Sequence, residues 1–234
     1  MKEIAFALVP RLNEMRCIEE GVYIVPLTLS LSLEPERMQF EQILLEAQRR
    51  IVRFAAKHGW KDLAKERFFD SVKIFDVKKD FDKALAGVAG LPASTVLPQT
   101  YSAALECGVL MAVSPELYAK NYPPGIEEDS YEKLLAHEMA HRLHIRILRG
   151  YEEAMGPIWF FEGLAIYAAE QFRETTSEPT KTEIEEILSN SERSSYRKYG
   201  EVFRFFAKKL SVTDMIEHAA KEGFQEWLLG SAVL

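Results

Sequence analysis

The order of the apolar patterns along the chain predicts an α+β fold. Strand-like segments crowd the first half, at 22–33, 72–77 and 105–113, while the chain from Tyr131 onward carries helical periodicity almost without a break. Strands first and helices after argue against alternating βαβ units, which would interleave the two. Apolar residues make up 47% of the 234, enough for a sizeable core. The expectation is a single domain over 1–234: residues 1–100 an N-terminal α/β portion, residues 101–234 the portion that carries chemistry. The sheet is expected to be small and mixed or antiparallel, with an edge strand preceding a mostly helical lobe.

Taken in order, residues 4–9 (IAFALV) read as a short buried strand. Over 22–33, Leu27, Leu29, Leu31 and Leu33 alternate with Thr28, Ser30 and Ser32, the period of a half-buried strand, and Pro26 marks an edge or an irregular start. A long helix follows, with Pro35 near its first turn, Phe40, Leu44, Ile51 and Phe54 on its apolar face, and Gly59 at its end. Residues 72–77 read as a strand and 80–89 as a short helix capped by Asp80. Gly90–Thr100, with Pro92 and Pro98, reads as a loop. Residues 105–113 form the last strand, stopped by Ser114-Pro115, and 174–182 is a surface loop.

The composition excludes some partners. With 29 basic and 36 acidic residues the net charge is −7, the wrong sign for a nucleic-acid-binding domain. No apolar run approaches the roughly 18 residues that span a bilayer, and the N-terminal stretch lacks the length and cleavage site of a signal peptide. Cys17 and Cys107 make no disulfide framework, so reduced thiols and a cytoplasmic location are expected. Nothing in the sequence specifies an oligomeric state.

The chemical signal is His137-Glu138-Met139-Ala140-His141. Tyr131, Leu134, Leu135, Met139, Leu143 and Ile147 give this segment an apolar helical face. Residues four apart on a helix point the same way within about 40° and sit about 6 Å apart along the axis. Two imidazoles so placed can share one tetrahedral zinc. Glu138 is turned by about 100° from His137, which sets its carboxylate beside the metal as a general base. Zinc lowers the pKa of a bound water to about 7, and such a carboxylate completes its activation.

A catalytic zinc needs a third protein ligand and one open position. Downstream, Gly156-Pro157 starts a second helix in which Glu162 is the lone charge in an apolar run, IWFFEGLAIY. A carboxylate on such a face needs a partner. Glu162, Ala165 and Ala169 share one side, and the alanines would let this helix approach the histidine helix closely. Glu162 is therefore the third ligand. The competing reading pairs it with Arg142, Arg146 or Arg149.

HEMAH followed by PIWFFEGLAIY resembles the gluzincin metallopeptidases, zinc peptidases with two histidines and a downstream glutamate. The likeness is to the peptidase MA-like families related to the M1 aminopeptidase catalytic domain, and it covers roughly residues 100–230. It implies a zincin-like fold, a zinc ion, a water nucleophile, and a peptide or protein substrate. It further implies an edge strand before the motif helix that binds substrate by β-augmentation, a place held here by 105–113, with Cys107 to Met111 lining the cleft. It also implies a tyrosine that supports the oxyanion: Tyr196 and Tyr199 are the candidates, with Tyr167 a third. Two features depart from the pattern. The aminopeptidase signature G-x-M-E-N is absent, which makes endopeptidase action at least as plausible. Some relatives also carry an aspartate, four residues past the glutamate ligand, to orient a histidine. This chain has Ile166 there, so that role falls to Glu132 or a backbone carbonyl.

Of the remaining candidates, His144 reads as a supporting or structural residue, and His58 and His218 as ordinary helix residues. Arg142, Arg146 and Arg149 read as a solvated face, and the cysteines as small apolar residues. Two rival functions remain: a zinc-containing interaction domain without catalysis, and a metal-dependent hydrolase of a non-peptide amide.

Overall fold

The computed structural model describes residues 15–92, 94–174, 178–193 and 195–232. The strand expected over 4–9 and part of the loop expected over 174–182 lie outside them. The fold is α+β, with two small sheets before a helical second half.

Strands β1 (Arg16–Glu19) and β2 (Val22–Ile24) form an antiparallel pair. Pro26, which has no N–H, separates this pair from β3 (Leu27–Leu29). The strand expected to run through Leu33 ends there. The Ser30 N–H makes one more bond, to the Ile74 carbonyl, and the chain then coils into a short 3₁₀ turn, Leu31–Glu36. Pro35 lies in that turn, where its fixed φ suits a helical approach. Leu31 is left 91% exposed, so its alternation with Leu29 was not a mark of burial.

Helix α1 (Arg37–Lys57) buries Phe40, Leu44, Ala47, Ile51 and Ala55 and ends at Gly59, as expected. Strand β4 (Ser71–Phe75) and helix α2 (Lys78–Val88) follow. Asp80 sits within the first turn of α2, not at its cap, which is Val77. The expected strand over 105–113 is a hairpin instead: β5 (Ala103–Glu106) and β6 (Val109–Val113) join through Cys107-Gly108. Both turn residues have positive φ, 47° and 76°, the backbone of a tight two-residue turn matched to strand twist. A mostly apolar nine-residue stretch, LECGVLMAV, hid this turn, because Gly108 is preceded by a cysteine and not by the asparagine or aspartate that usually marks such a turn. The sheet order is β3-β4-β6-β5, parallel except for the last pair. Edge strand β5 therefore lies beside β6 and packs against the helix that carries the histidine motif.

Ser114 does more than stop a strand. Its hydroxyl accepts from Leu117 N–H and caps α3 (Pro115–Asn121). Helix α4 (Ser130–Ile147) carries the two histidines, and α5 (Ile158–Ala168) carries Glu162. The second half is completed by α6 (Lys181–Ser189), α7 (Tyr196–Ala207), α8 (Val212–His218) and α9 (Phe224–Ala232).

Two apolar cores result. One joins the sheet, α1 and α4; the other is aromatic and lies among α5 to α9. Helix α5 belongs to both. Ala165, Ala168 and Ala169 face the first core, while Trp159, Phe160, Leu164 and Ile166 face the second. Small side chains toward α4 and bulky ones away from it let Glu162 reach across. On its other side α5 crosses α7 at two glycines. A Cβ on Gly163 would stand 2.9 Å from Phe203 Cβ, and one on Gly200 would stand 2.5 Å from Ile166 Cγ2. That close crossing brings Tyr196, one turn before Gly200, over the histidines.

No helix among the described residues is long and apolar enough to cross a membrane.

Candidate metal centre

His137, His141 and Glu162 converge on one point. The His137 Nε2 is 3.0 Å from His141 Nε2 and 3.0 Å from Glu162 Oε2, and His141 Nε2 is 3.6 Å from the same oxygen. Three donors each 2.0–2.1 Å from one tetrahedral zinc would lie about 3.3 Å apart. The observed separations straddle that value. The chemistry of the donors also fits a cation. His137 Nδ1 lies 2.9 Å from Gln171 Oε1, an acceptor, so when the ring is neutral Nδ1 carries the proton and Nε2 is left bare. A bare nitrogen, a second imidazole nitrogen and a carboxylate oxygen then face one another. One proton can bridge one pair; a divalent cation satisfies all three donors at once.

Burial sharpens this. Glu162 is 2% exposed and His137 5%, positions where a charge without a partner is costly. Desolvation works against ionisation of Glu162, but contacts with His137 and His141 override it and hold the carboxyl well below its ordinary value. Burial likewise disfavours the His137 imidazolium, and the Glu162 carboxylate reverses that, so the net direction is upward.

Glu138 lies within electrostatic reach of the same groups. Burial raises its pKa, the neighbouring histidines and Arg193 pull it down, and Glu162 pushes it up. The net shift is upward, toward a carboxylate that takes up a proton readily. Among the described residues Glu138 has no hydrogen-bond or ion-pair partner, so its oxygens are uncommitted.

The two tyrosine candidates part company. Tyr196 lies with its ring 6.2 Å from that of His137, and its hydroxyl accepts from Arg193 Nη1 at 2.7 Å. Tyr199 is fully buried, and its hydroxyl donates to the Glu192 carbonyl at 3.0 Å. Tyr167 packs among Phe54, His58 and Phe203.

Several expectations about the surroundings are corrected. The arginine on Glu162 is Arg193, which meets Oε1, not Arg142, Arg146 or Arg149. Arg146 is not a solvated side chain. Its guanidinium donates to the carbonyls of Leu63 and Glu66 at 2.9 and 3.0 Å, and to that of Arg67. Glu132 does not orient a histidine; it pairs with Arg50 at 2.7 Å. Gln171 takes that place instead. Cys107 and Gly108 form a turn, and Val109 to Met111 lie on β6, paired on both sides, so that stretch offers no open edge. The open edge belongs to β5. Residues 102, 104 and 106 face β6 in the hydrogen-bonded register, which turns the N–H and C=O groups of Ala103 and Leu105 outward. His144 is buried with both ring nitrogens unpartnered, a packing residue beside Phe160.

Gln171 and Arg193 carried no local sign of their role. Gln171 follows α5 through Glu170, which turns the chain with φ 57° where glycine would be ordinary. Arg193 lies in the segment before α7.

No family model, curated protein or solved structure matches this chain.

Proposed function

We propose that this protein is a zinc-dependent metallohydrolase, a peptidase, with His137, His141 and Glu162 as ligands and Glu138 as general base. One observation carries the reading: three potential ligand atoms lie at near-tetrahedral spacing, with the carboxylate of Glu138 close enough to feel their charges.

A zinc ion held there would supply Lewis-acid polarisation of the scissile carbonyl and acidify a water. The protein's own groups do the rest. The outward N–H and C=O groups of Ala103 and Leu105 bind an extended substrate backbone as an added strand. Glu138 removes a proton from the attacking water and delivers it to the leaving nitrogen. Tyr196, whose hydroxyl accepts from Arg193 and so keeps its own proton to give, donates to the developing oxyanion.

The Arg193–Glu162 contact favours a second reading, in which buried His137 and Glu162 form an ion network with the exposed Arg193 and no metal. Elemental analysis of the purified protein, with a peptide-library digest run with and without chelator, separates the two. The peptidase reading expects about one zinc per chain, and cleavage that stops on chelation and returns with zinc. Metal without turnover would leave a zinc-containing interaction domain. Turnover of small amides alone would leave a non-peptide hydrolase. Absence of metal would leave the ion network.

A further inference from the structure

We propose that Arg50, on the long helix α1, is a positioning residue for the metal centre, acting through Glu170 and Gln171. The inference rests on the zinc reading above and assigns the N-terminal portion a part in the site.

The guanidinium of Arg50 joins the two ligand-bearing helices. Its Nε donates to Glu132 Oε1 at 2.8 Å, in the first turn of α4, and its Nη1 donates to Glu170 Oε2 at 2.5 Å, just past the end of α5. Its side chain is only 10% exposed. A planar fork with fixed donor directions suits this bridge in a way a lysine would not.

Glu170 is the residue on which the geometry turns. It sits in the left-handed region with φ 57°, a conformation disfavoured for a residue with a Cβ. The turn is closed by Glu170 N–H to the Tyr167 carbonyl at 3.2 Å and by Gln171 N–H to the Ile166 carbonyl at 3.0 Å. This reversal swings Gln171 back along α5 so that its Oε1 meets His137 Nδ1. Beyond it, Arg204 donates to the Gln171 and Phe172 carbonyls, each at 3.0 Å. The backbone of Gln171 is thus fixed on both sides, and the Arg50–Glu170 pair holds the strained residue that aims it. Partners of this kind set the tautomer and direction of a ligating imidazole, and losing one weakens metal affinity by about 10–100-fold.

The test measures the zinc dissociation constant by competition with a chromophoric chelator, on full-length protein whose fold is checked by circular dichroism. Gln171→Leu is expected to weaken zinc binding about 10–100-fold. Arg50→Met is expected to weaken it at least several-fold, and most of that loss is expected to disappear in the Gln171→Leu background, because the Glu170 arm acts through the Gln171 contact. If Arg50→Met fails to fold, Glu170→Ala and Glu170→Gly carry the test, since both remove the ion pair and only alanine resists the left-handed turn. Glu170→Ala is then expected to bind zinc more weakly than Glu170→Gly. Undiminished affinity in Arg50→Met, a full Arg50→Met loss persisting in the Gln171→Leu background, or equal affinities for the two Glu170 variants would each overturn the inference. Absence of zinc binding by the unaltered protein would instead overturn the metal reading on which it rests.

Discussion

Arg193 Nη1 donates to the Tyr196 hydroxyl at 2.7 Å and also meets Glu162 Oε1. One guanidinium thus ties the proposed oxyanion donor to a proposed metal ligand. The arrangement makes Tyr196 an acceptor toward Arg193 and frees its proton for the substrate. Tyr196→Phe is therefore expected to lower kcat by about 10²–10³-fold, the loss found when one oxyanion donor is removed, with KM little changed. Tyr199→Phe is expected to cost about 1 kcal/mol of stability, from its bond to the Glu192 carbonyl, and little in kcat. Steady-state kinetics and urea unfolding of both variants check the assignment; a larger kcat loss in the Tyr199 variant would reverse it.

Glu138→Gln keeps the shape of the side chain but removes the base. It is expected to reduce kcat by about 10²–10⁴-fold while leaving zinc content unchanged. The carboxyl also has a predictable titration. Burial raises its pKa in the metal-free protein, so the protonated form persists to higher pH than in an ordinary glutamate. A dication at the neighbouring donors stabilises the carboxylate, so adding zinc should move the titration to lower pH. Carbon-13 NMR of labelled glutamate carboxyls, with Glu138→Gln for assignment, follows both shifts. A Glu138 titration unmoved by zinc would place the metal elsewhere.

The outward-facing N–H of Leu105 is the donor that proline would delete. Edge strands tolerate proline where the N–H faces solvent, so Leu105→Pro is expected to fold. Loss of one net backbone hydrogen bond of about 1 kcal/mol corresponds to roughly a 5-fold rise in KM for peptide substrates. Comparing Leu105→Pro with Ala104→Pro, whose N–H bonds within the sheet, separates the two roles. The second should lose stability instead. Equal KM values for Leu105→Pro and the unaltered protein would remove β5 from substrate binding.

His144 makes stability depend on pH. Burial depresses its pKa to about 3, against about 6.5 in an unfolded chain. Between those values the unfolded state binds the extra proton, so stability rises with pH and is lost as pH falls below 6.5. From pH 6.5 to 5 this one residue should cost about 2 kcal/mol. His144→Leu removes two unpartnered buried nitrogens, so it should be at least as stable at pH 7 and lose less on acidification. Urea unfolding of the metal-stripped proteins at pH 7 and 5 measures the difference; parallel losses would show that His144 is not the sensitive group.

Much of the site was legible because it is local. A four-residue histidine spacing on an apolar helix aims both rings one way wherever that helix lies. Glu162, alone among apolar residues beside Ala165 and Ala169, announced a buried carboxylate facing a close neighbour. Legibility failed where distant segments meet. Cys107-Gly108 turns the chain without a turn signature, so two strands read as one and the open edge was placed on the wrong residues. Glu132 lost its expected role to Gln171 because Arg50, 82 residues from Glu132 in sequence, claims it.

The sequence by itself determined the α+β order of elements, the helix bearing His137, Glu138 and His141, and the candidacy of Glu162. These follow from periodicity, spacing and the cost of burying charge, which act over a few turns of chain. Only the tertiary structure placed Gln171 Oε1 against His137 Nδ1, the Tyr196 ring beside that imidazole, Arg193 on Glu162, and Arg50 between Glu132 and Glu170. Those choices depend on where helices cross and where a chain reverses, and a left-handed glutamate or a pair of crossing glycines leaves no periodic trace to read.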